Sequence, residues 1–377
     1  MAERTPAAAS GGGPVRVGLV GAGNISTEYL RTLARCPDVR VVAIGDLLPD
    51  AARARAAEFG IATSGEPAAV LDHPDVEIVV NLTIPAVHAE VAGEAIRAGR
   101  HVWNEKPLAI DRESGRRVLD AAAAAGVRLG CAPDTFLGDA LQAARRAIAD
   151  GEIGRPLTAL ALFQSPGPDS WHPNPAFLFQ LGAGPLFDLG PYYLTALVQA
   201  LGPVSRVAAV ASVAQPVRVV GSGPRKGERF DVTAPSHVGA LLEFEAGSSA
   251  QAVFSFDSAQ PRTLLEINGT EGTLLHPDPN EFDGDVAVRR RGTREATVVA
   301  RTRERSRRGT GVLELARAIR EDRPHRASGE LGYHVLDVMV SIGEAIERRA
   351  FVDVESRVSP APPLPDDWDP TASTLGG

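Results

Sequence analysis

Two cysteines, Cys36 and Cys131, are all the thiol chemistry in 377 residues. They lie far apart and without metal-ligand spacing, so neither a disulfide framework nor a zinc site is implied, and a reducing cytoplasm fits. No cluster of His, Cys and Asp suggests any other metal site. Long apolar runs are missing too: none approaches the ~20 residues of a bilayer span. The first fourteen residues are rich in Ala, Gly and Ser and lack the charged-then-apolar layout of a secretory signal. A basic excess is also absent. With a formal net charge of −8, a general nucleic-acid or membrane-surface role is disfavoured, and small-molecule ligands are expected.

What is present is an ordinary soluble composition, 44% hydrophobic and 23% charged, in a chain longer than one core usually supports. Two domains are therefore expected. Residues 1–14 and the proline-rich stretch 359–377 read as disordered tails. Between them the pattern divides the chain into 15–133 and 134–358.

The first part alternates strand and helix. The apolar run 15–20 leads into Gly21-Ala22-Gly23-Asn24-Ile25-Ser26, and 27–35 has helical character. Strand, glycine turn and helix are the context a dinucleotide fingerprint needs. The first glycine permits the tight turn, and the second lets backbone N–H groups approach a pyrophosphate at the positive helix end. Gly21, Gly23, Asn24 and Ile25 are thus candidate cofactor contacts, with Ser26 in the third glycine's place. The next strand, 39–44, ends in Gly45-Asp46, at the distance expected for an acid that binds a ribose 2′-hydroxyl. Leu47 follows rather than Arg, so NAD is preferred to NADP. A helix at 51–59, a short strand at 61–62 and a buried strand at 76–82 come next. The last ends among polar groups that include Thr83 and His88, both candidates for cofactor contact.

After a helix at 89–98 comes His-Val-Trp-Asn-Glu-Lys-Pro, residues 101–107. The proline biases Lys106 away from helix, which sets its ammonium where a strand runs out. Ligands bind at such carboxyl ends of open parallel sheets, and Glu105 and Lys106 join the candidate set. A helix at 112–125 and a strand at 127–132 complete a doubly wound parallel sheet with helices on both faces.

Beyond Asp134 the pattern changes. A helix at 137–150 is followed by strand-like runs at 157–163, 204–213, 237–244, 249–255, 264–268, 272–275, 286–290 and 296–302. This implies an α+β domain with a large, mostly antiparallel open sheet, interrupted by one helical insertion at 186–201. Helices at 313–320 and 335–347 close the chain. Within the insertion, Asp188 and Tyr192 are four apart and share a face if the segment is helical. Pro191 is tolerated within a first turn, so a start as late as Leu189, capped by Asp188, is the alternative. Asp134 and the loop residues Trp171 and His172 are expected to contact substrate. Arg301, Arg303, Arg305 and Arg307 alternate, which would place them on one face of an extended strand; a charged edge strand that resists pairing is the favoured explanation.

With the glycine turn at 21–26, Glu105-Lys106-Pro107, and Asp188 followed by Tyr192, in this order, the chain resembles the glucose-fructose oxidoreductase / inositol dehydrogenase / rhizopine catabolism (Gfo/Idh/MocA) family along nearly all of residues 15–350. The resemblance implies an NAD(P)-dependent oxidoreductase acting on a sugar, cyclitol or related polyol. It implies Lys106 between nicotinamide and substrate, and Asp188 near the reacting hydroxyl. Many members carry histidine four residues after that aspartate. Tyr192 stands there instead, as in the branch similar to dimeric dihydrodiol dehydrogenases and glucose-fructose oxidoreductase. This departure speaks against inositol-specific activity and histidine-based proton transfer. It also brings in NADP, which tyrosine-bearing relatives often use, although Asp46 still favours NAD.

Oxidising a carbinol needs a base for the hydroxyl proton. A free tyrosine has a pKa of about 10, and a nearby cation such as Lys106 would lower it. Lys106 made basic by burial is the other assignment. Alternative functions are a non-catalytic cofactor-sensing regulator on the same fold and a dehydrogenase of phosphorylated or nucleotide-linked sugars. A homo-oligomer, in particular a face-to-face dimer through the second sheet, is also expected.

Overall fold

The computed structural model describes residues 12–302 and 305–376. They form two compact units: one from 12–138, 305–336 and 364–376, the other from 139–302 and 337–363. The N-terminal tail expected at 1–14 lies outside the described residues up to position 11.

The first unit is built from β1 (Val15–Val20), α1 (Asn24–Leu33), β2 (Val39–Gly45), α2 (Pro49–Phe59), β3 (Thr63–Gly65), α3 (Ala68–Leu71), β4 (Ile78–Asn81), α4 (His88–Arg97), β5 (His101–Asn104), α5 (Arg112–Ala125) and β6 (Leu129–Cys131). The strands pair in parallel in the order β3-β2-β1-β4-β5-β6. Every residue of β4 is buried, as expected of a strand covered on both faces. The order reverses between β1 and β4, and this switch opens a crevice at the carboxyl ends of the strands. α5 shows why its bounds are readable: the Asp111 side chain accepts from the Ser114 N–H at one end, and Gly126 takes a left-handed conformation at the other. The strand expected at 61–62 lies slightly later, at β3.

The second unit comprises α6 (Asp139–Ala149), β7 (Pro156–Gln164), α7 (Gly184–Leu201), β8 (Val204–Ser212), β9 (Val217–Val219), β10 (Arg229–Asp231), β11 (His237–Phe244), β12 (Ser249–Ser255), β13 (Arg262–Gly269), β14 (Gly272–His276), β15 (Asp285–Arg290) and β16 (Thr297–Arg301). After α8 (Thr310–Arg320) and α9 (Gly329–Arg348), it closes with β17 (Val352–Asp353). Its nine-stranded sheet runs β16-β15-β14-β13-β7-β12-β11-β8-β17. All neighbours are antiparallel except β7 and β12. β9 and β10 form a separate hairpin that was not expected. α6 and α7 pack on the sheet.

Four expectations are corrected. α7 begins at Gly184 and runs through Pro191, so Asp188 lies inside the helix rather than capping a later start. The cost of an interior proline is offset by burial: every residue from Leu189 to Gln199 is buried. The boundary at 134–358 is also redrawn, because α8 and the start of α9 belong to the first unit. β16 ends at Arg301; Arg303 lies outside the described residues, and Arg305 and Arg307 are in no strand, so the four arginines do not share a strand face.

The described part of the expected tail 359–377 is ordered. Buried Asp38 accepts from the Thr374 hydroxyl at 2.8 Å, the Leu375 N–H at 3.1 Å and Arg317 Nε at 2.7 Å. Arg317 also donates to the carbonyls of Asp369 and Ala372, at 3.0 and 2.8 Å, and its guanidinium lies 4.5 Å from the Trp368 ring centre. Burial alone would raise the Asp38 carboxyl, but these hydrogen bonds hold it below its usual range. Prolines and small residues suggested disorder, whereas the order comes from partners far away in sequence.

Candidate active site

At the end of β1, Gly21 adopts φ +108°, and a Cβ there would come within 2.6 Å of the Leu82 carbonyl oxygen. Only glycine fits both constraints. A Cβ on Gly23 would meet nothing within 4 Å, so open space lies beside the α1 N-terminus. Gly23 caps α1 without a side-chain hydrogen bond, and no acidic residue occupies the first turn. The N-terminal N–H groups that start with Asn24 and Ile25 are therefore not covered by a capping side chain, which suits an anionic pyrophosphate. Ser26 is buried and donates from its hydroxyl to the Gly23 carbonyl at 2.6 Å. The Asp46 carboxylate reaches back to this turn, with Oδ2 accepting from the Ala22 N–H at 2.7 Å and Oδ1 from the Leu48 N–H at 2.8 Å. Leu47 beside it is 85% exposed. The open helix end and the fixed acid fit a dinucleotide whose ribose hydroxyls meet Asp46.

The neighbouring strand ends carry a buried polar network. Asn81 and Asn104 are register partners at the last positions of β4 and β5, joined by a 2.7 Å hydrogen bond from Asn81 Nδ2 to Asn104 Oδ1. The Thr83 hydroxyl donates to Asn81 Oδ1 at 2.6 Å. His88, expected to contact cofactor, is 1% exposed, with its two ring nitrogens facing the Pro107 carbonyl at 2.7 Å and the Thr83 carbonyl at 3.0 Å. Burial pushes its pKa below the usual value against the pull of the two carbonyls. The ring braces the turn that follows β5 rather than opening onto the crevice.

That turn is Glu105-Lys106-Pro107. Glu105 Oε1 accepts from the Tyr29 hydroxyl at 2.7 Å, and Oε2 accepts from the Lys106 N–H at 3.0 Å. Trp103 Nε1 donates to the same Tyr29 oxygen at 3.0 Å. Asp134, expected at the substrate, has another partner in this structure: its Oδ2 accepts from the Gly309 and Gly311 N–H groups at 2.8 and 3.0 Å, at the start of α8. Burial pushes its pKa up to about 6, partly countered by these N–H groups and by Arg308.

In the second unit, Asp188 and Tyr192 stand one turn apart on α7, the aspartate half-buried and the tyrosine buried. Trp171 is 66% exposed. Its ring lies edge-on to His172, and the His172 ring edge-on to Phe177, with centroids 5.5 and 5.6 Å apart. Arg218 anchors the loop that carries them. It is almost fully buried, pairs with Asp169 and Asp257 at 2.7 and 2.5 Å, and donates to the Pro166 carbonyl at 3.0 Å. Sequence reasoning passed over Tyr29, Trp103, Arg218 and the asparagine pair. The one available signal was an asparagine closing each of two apolar strands.

A doubly wound parallel sheet with this glycine turn and acid defines a dinucleotide-binding protein. Residues 15–132 match the model of an oxidoreductase family with an NAD-binding Rossmann fold, and residues 141–275 match the GFO/IDH/MocA C-terminal domain. A 1,5-anhydro-D-fructose reductase from Ensifer adhaerens is 32% identical over 266 residues, covering 69% of this chain and 75% of its own. A levoglucosan dehydrogenase from Pseudarthrobacter phenanthrenivorans is 27% identical over 289 residues, covering 69% and 73%. The chain belongs to the GFO/IDH/MocA family of oxidoreductases. The same fold occurs in a levoglucosan dehydrogenase solved with NADH and L-sorbose, at TM-score 0.79 and 22% identity over 91% of this chain and 99% of that one. It also occurs in an NAD-binding oxidoreductase from Klebsiella pneumoniae, at TM-score 0.78 and 23% identity over 90% and 99%. No helix among the described residues is long and apolar enough to cross a membrane.

Proposed function

We propose that this enzyme moves a hydride between NAD and a carbinol or carbonyl carbon of a sugar, cyclitol or related polyol. The observation that carries the reading is Lys106, which lies in the turn two residues beyond the end of β5, at the carboxyl edge of the same parallel sheet that presents the glycine turn and Asp46. Relatives named for anhydrofructose, levoglucosan and inositol support the substrate class. Bound NAD supplies the hydride acceptor. Gly21, Gly23, Asn24 and Ile25 hold its pyrophosphate, Asp46 its ribose hydroxyls, and Thr83 lies along the same strand edge. A carboxylate at Asp46 disfavours the 2′-phosphate of NADP, so NAD is the preferred cofactor.

Lys106, Asp188 and Tyr192 handle the proton of the reacting hydroxyl. Tyr192 as base requires a lowered phenol pKa, and Lys106 as base requires a lowered ammonium pKa; each unit costs about 1.36 kcal/mol. Trp171 and His172 offer an aromatic and a hydrogen-bonding surface suited to a polyol. A panel of free and phosphorylated sugars and cyclitols, followed by nicotinamide absorbance, tests the reading. Lys106→Ala is expected to abolish turnover of any active substrate. Tyr192→Phe is expected to lower kcat by about 10²–10⁴ with little change in NAD affinity. No turnover across the panel, or full activity in both variants, would sink it.

The reading includes a homodimer in a reducing compartment. The two cysteines are free and buried. One face of the nine-stranded sheet carries a cross-strand row of Val210, Gly239, Val253, Leu162 and Leu264. A second copy of this chain would cover it.

A further inference from the structure

We infer that Tyr29 and Glu105 form a positioning relay for Lys106, passing the placement of the cofactor-binding helix α1 to the turn that carries the ammonium. The inference rests on the reading of Lys106 as a catalytic residue.

β5 stops making ladder bonds just before Lys106. The Glu105 N–H still donates to the Asn81 carbonyl at 3.0 Å, but the next N–H, that of Lys106, is held by the Glu105 side chain. One carboxylate thus stands in for the missing rung. Its other oxygen is fixed by the Tyr29 hydroxyl, and hydrogen bonds to a carboxylate are roughly twice as strong as neutral ones. Tyr29 is fully buried on α1, fewer than two turns from Asn24, where the helix begins. Burial, followed by the charges of Glu105 and Asp134, holds its phenol well above the ordinary range, so the hydroxyl remains a donor. Trp103 Nε1 occupies its lone pair. The Trp103 ring is locked in turn, since a Cβ on Gly311 would lie 1.9 Å from it. The Asn104 side chain donates to the Glu105 carbonyl at 2.7 Å, and His88 meets the Pro107 carbonyl. Both sides of the turn are therefore braced, and the Tyr29 hydroxyl is the brace that comes from the cofactor helix.

The chain offers an unusually clean test, because Lys106 and Lys226 are its only lysines. Lys226 is exposed on the loop between β9 and β10 and serves as an internal standard. Limited acetylation of the full-length enzyme, quantified by mass spectrometry, gives a Lys106-to-Lys226 ratio that needs no substrate. Tyr29→Phe and Glu105→Gln are each expected to change this ratio by about threefold or more, equivalent to about half a pKa unit at the amine. Each should lower kcat by about ten- to a hundredfold, with NAD dissociation constants within about twofold of the parent. In the double variant the kcat losses should fall short of multiplying, since both changes break one relay.

An unchanged ratio with full kcat in both variants would overturn the relay. So would a drop in melting temperature and NAD affinity with kcat intact at saturating cofactor, which would make the pair packing alone. Lys106→Ala, measured alongside, separates the two levels. If it remains active, the catalytic reading falls and the relay with it. If it is inactive while Tyr29→Phe is fully active, only the relay falls.

Discussion

Asp134 shows how far a single carboxylate can be from the role its position suggests. It follows the last strand of a parallel sheet, where ligands bind, yet it caps a helix whose N-cap residue, Gly309, lies 175 residues later in the chain. No local pattern reveals such a partner. The geometry of the glycine turn and Asp46, by contrast, was legible because most of its constraints, the approach of Gly21 to Leu82 apart, fall within one strand-turn-helix-strand unit. The buried carboxyl of Asp134 leads to a prediction. Its folded pKa of about 6 lies above the ~4 of an unfolded chain. Between these values the folded protein keeps a proton that the unfolded chain has released. Its contribution to stability is therefore lost as pH rises from about 4 through about 6, and stays low above that. Asp134→Asn keeps an oxygen for the Gly309 and Gly311 N–H groups but has no proton to lose. Relative to the parent, its unfolding free energy should climb by about 2–3 kcal/mol between pH 4 and 7. A flat difference across that range, measured by urea denaturation, would show that Asp134 titrates as an ordinary carboxylate.

Among the elements, those with their own start and stop signals were readable, and those stabilised by burial were not. α5 matches its expected bounds because Asp111 and Gly126 mark both ends. α7 starts two residues before the expected insertion and five before the later start at Leu189 that Pro191 suggested and packing overrides. The hairpin of β9 and β10 was missed; it is two strands of three residues each, too short for alternation to register. The long strands alternate cleanly, and this alternation leaves apolar side chains on one sheet face, with Val210 at 71% and Leu241 at 48% exposure. Covering that face with a second copy of the chain is expected to make the enzyme a dimer. Leu241→Glu should then shift sedimentation to the monomer without disturbing the far-ultraviolet spectrum. A monomeric parent protein at micromolar concentration would end the proposal.

For the molecule as a whole, the sequence pattern correctly separated a nucleotide-binding sheet from a second, mostly antiparallel one, but it assumed that each unit is one continuous stretch. The first unit instead draws in α8, the start of α9 and residues 364–376. The buried pair of Asp38 and Arg317 holds that last segment, so Thr374→Val, which removes one hydrogen bond to Asp38, should cost about 1–2 kcal/mol of stability. Deleting 364–376 should cost more, because it leaves the pair without its backbone partners. Equal urea midpoints for all three proteins would show that the segment is ornamental.

The discontinuity also has a bearing on synthesis. A ribosome releases residue 363 before residue 364, so the second unit has all its parts while the nucleotide-binding unit still lacks one. The nucleotide-binding unit therefore cannot finish folding until residues 364–376 have followed the second unit's last segment, 337–363, off the ribosome.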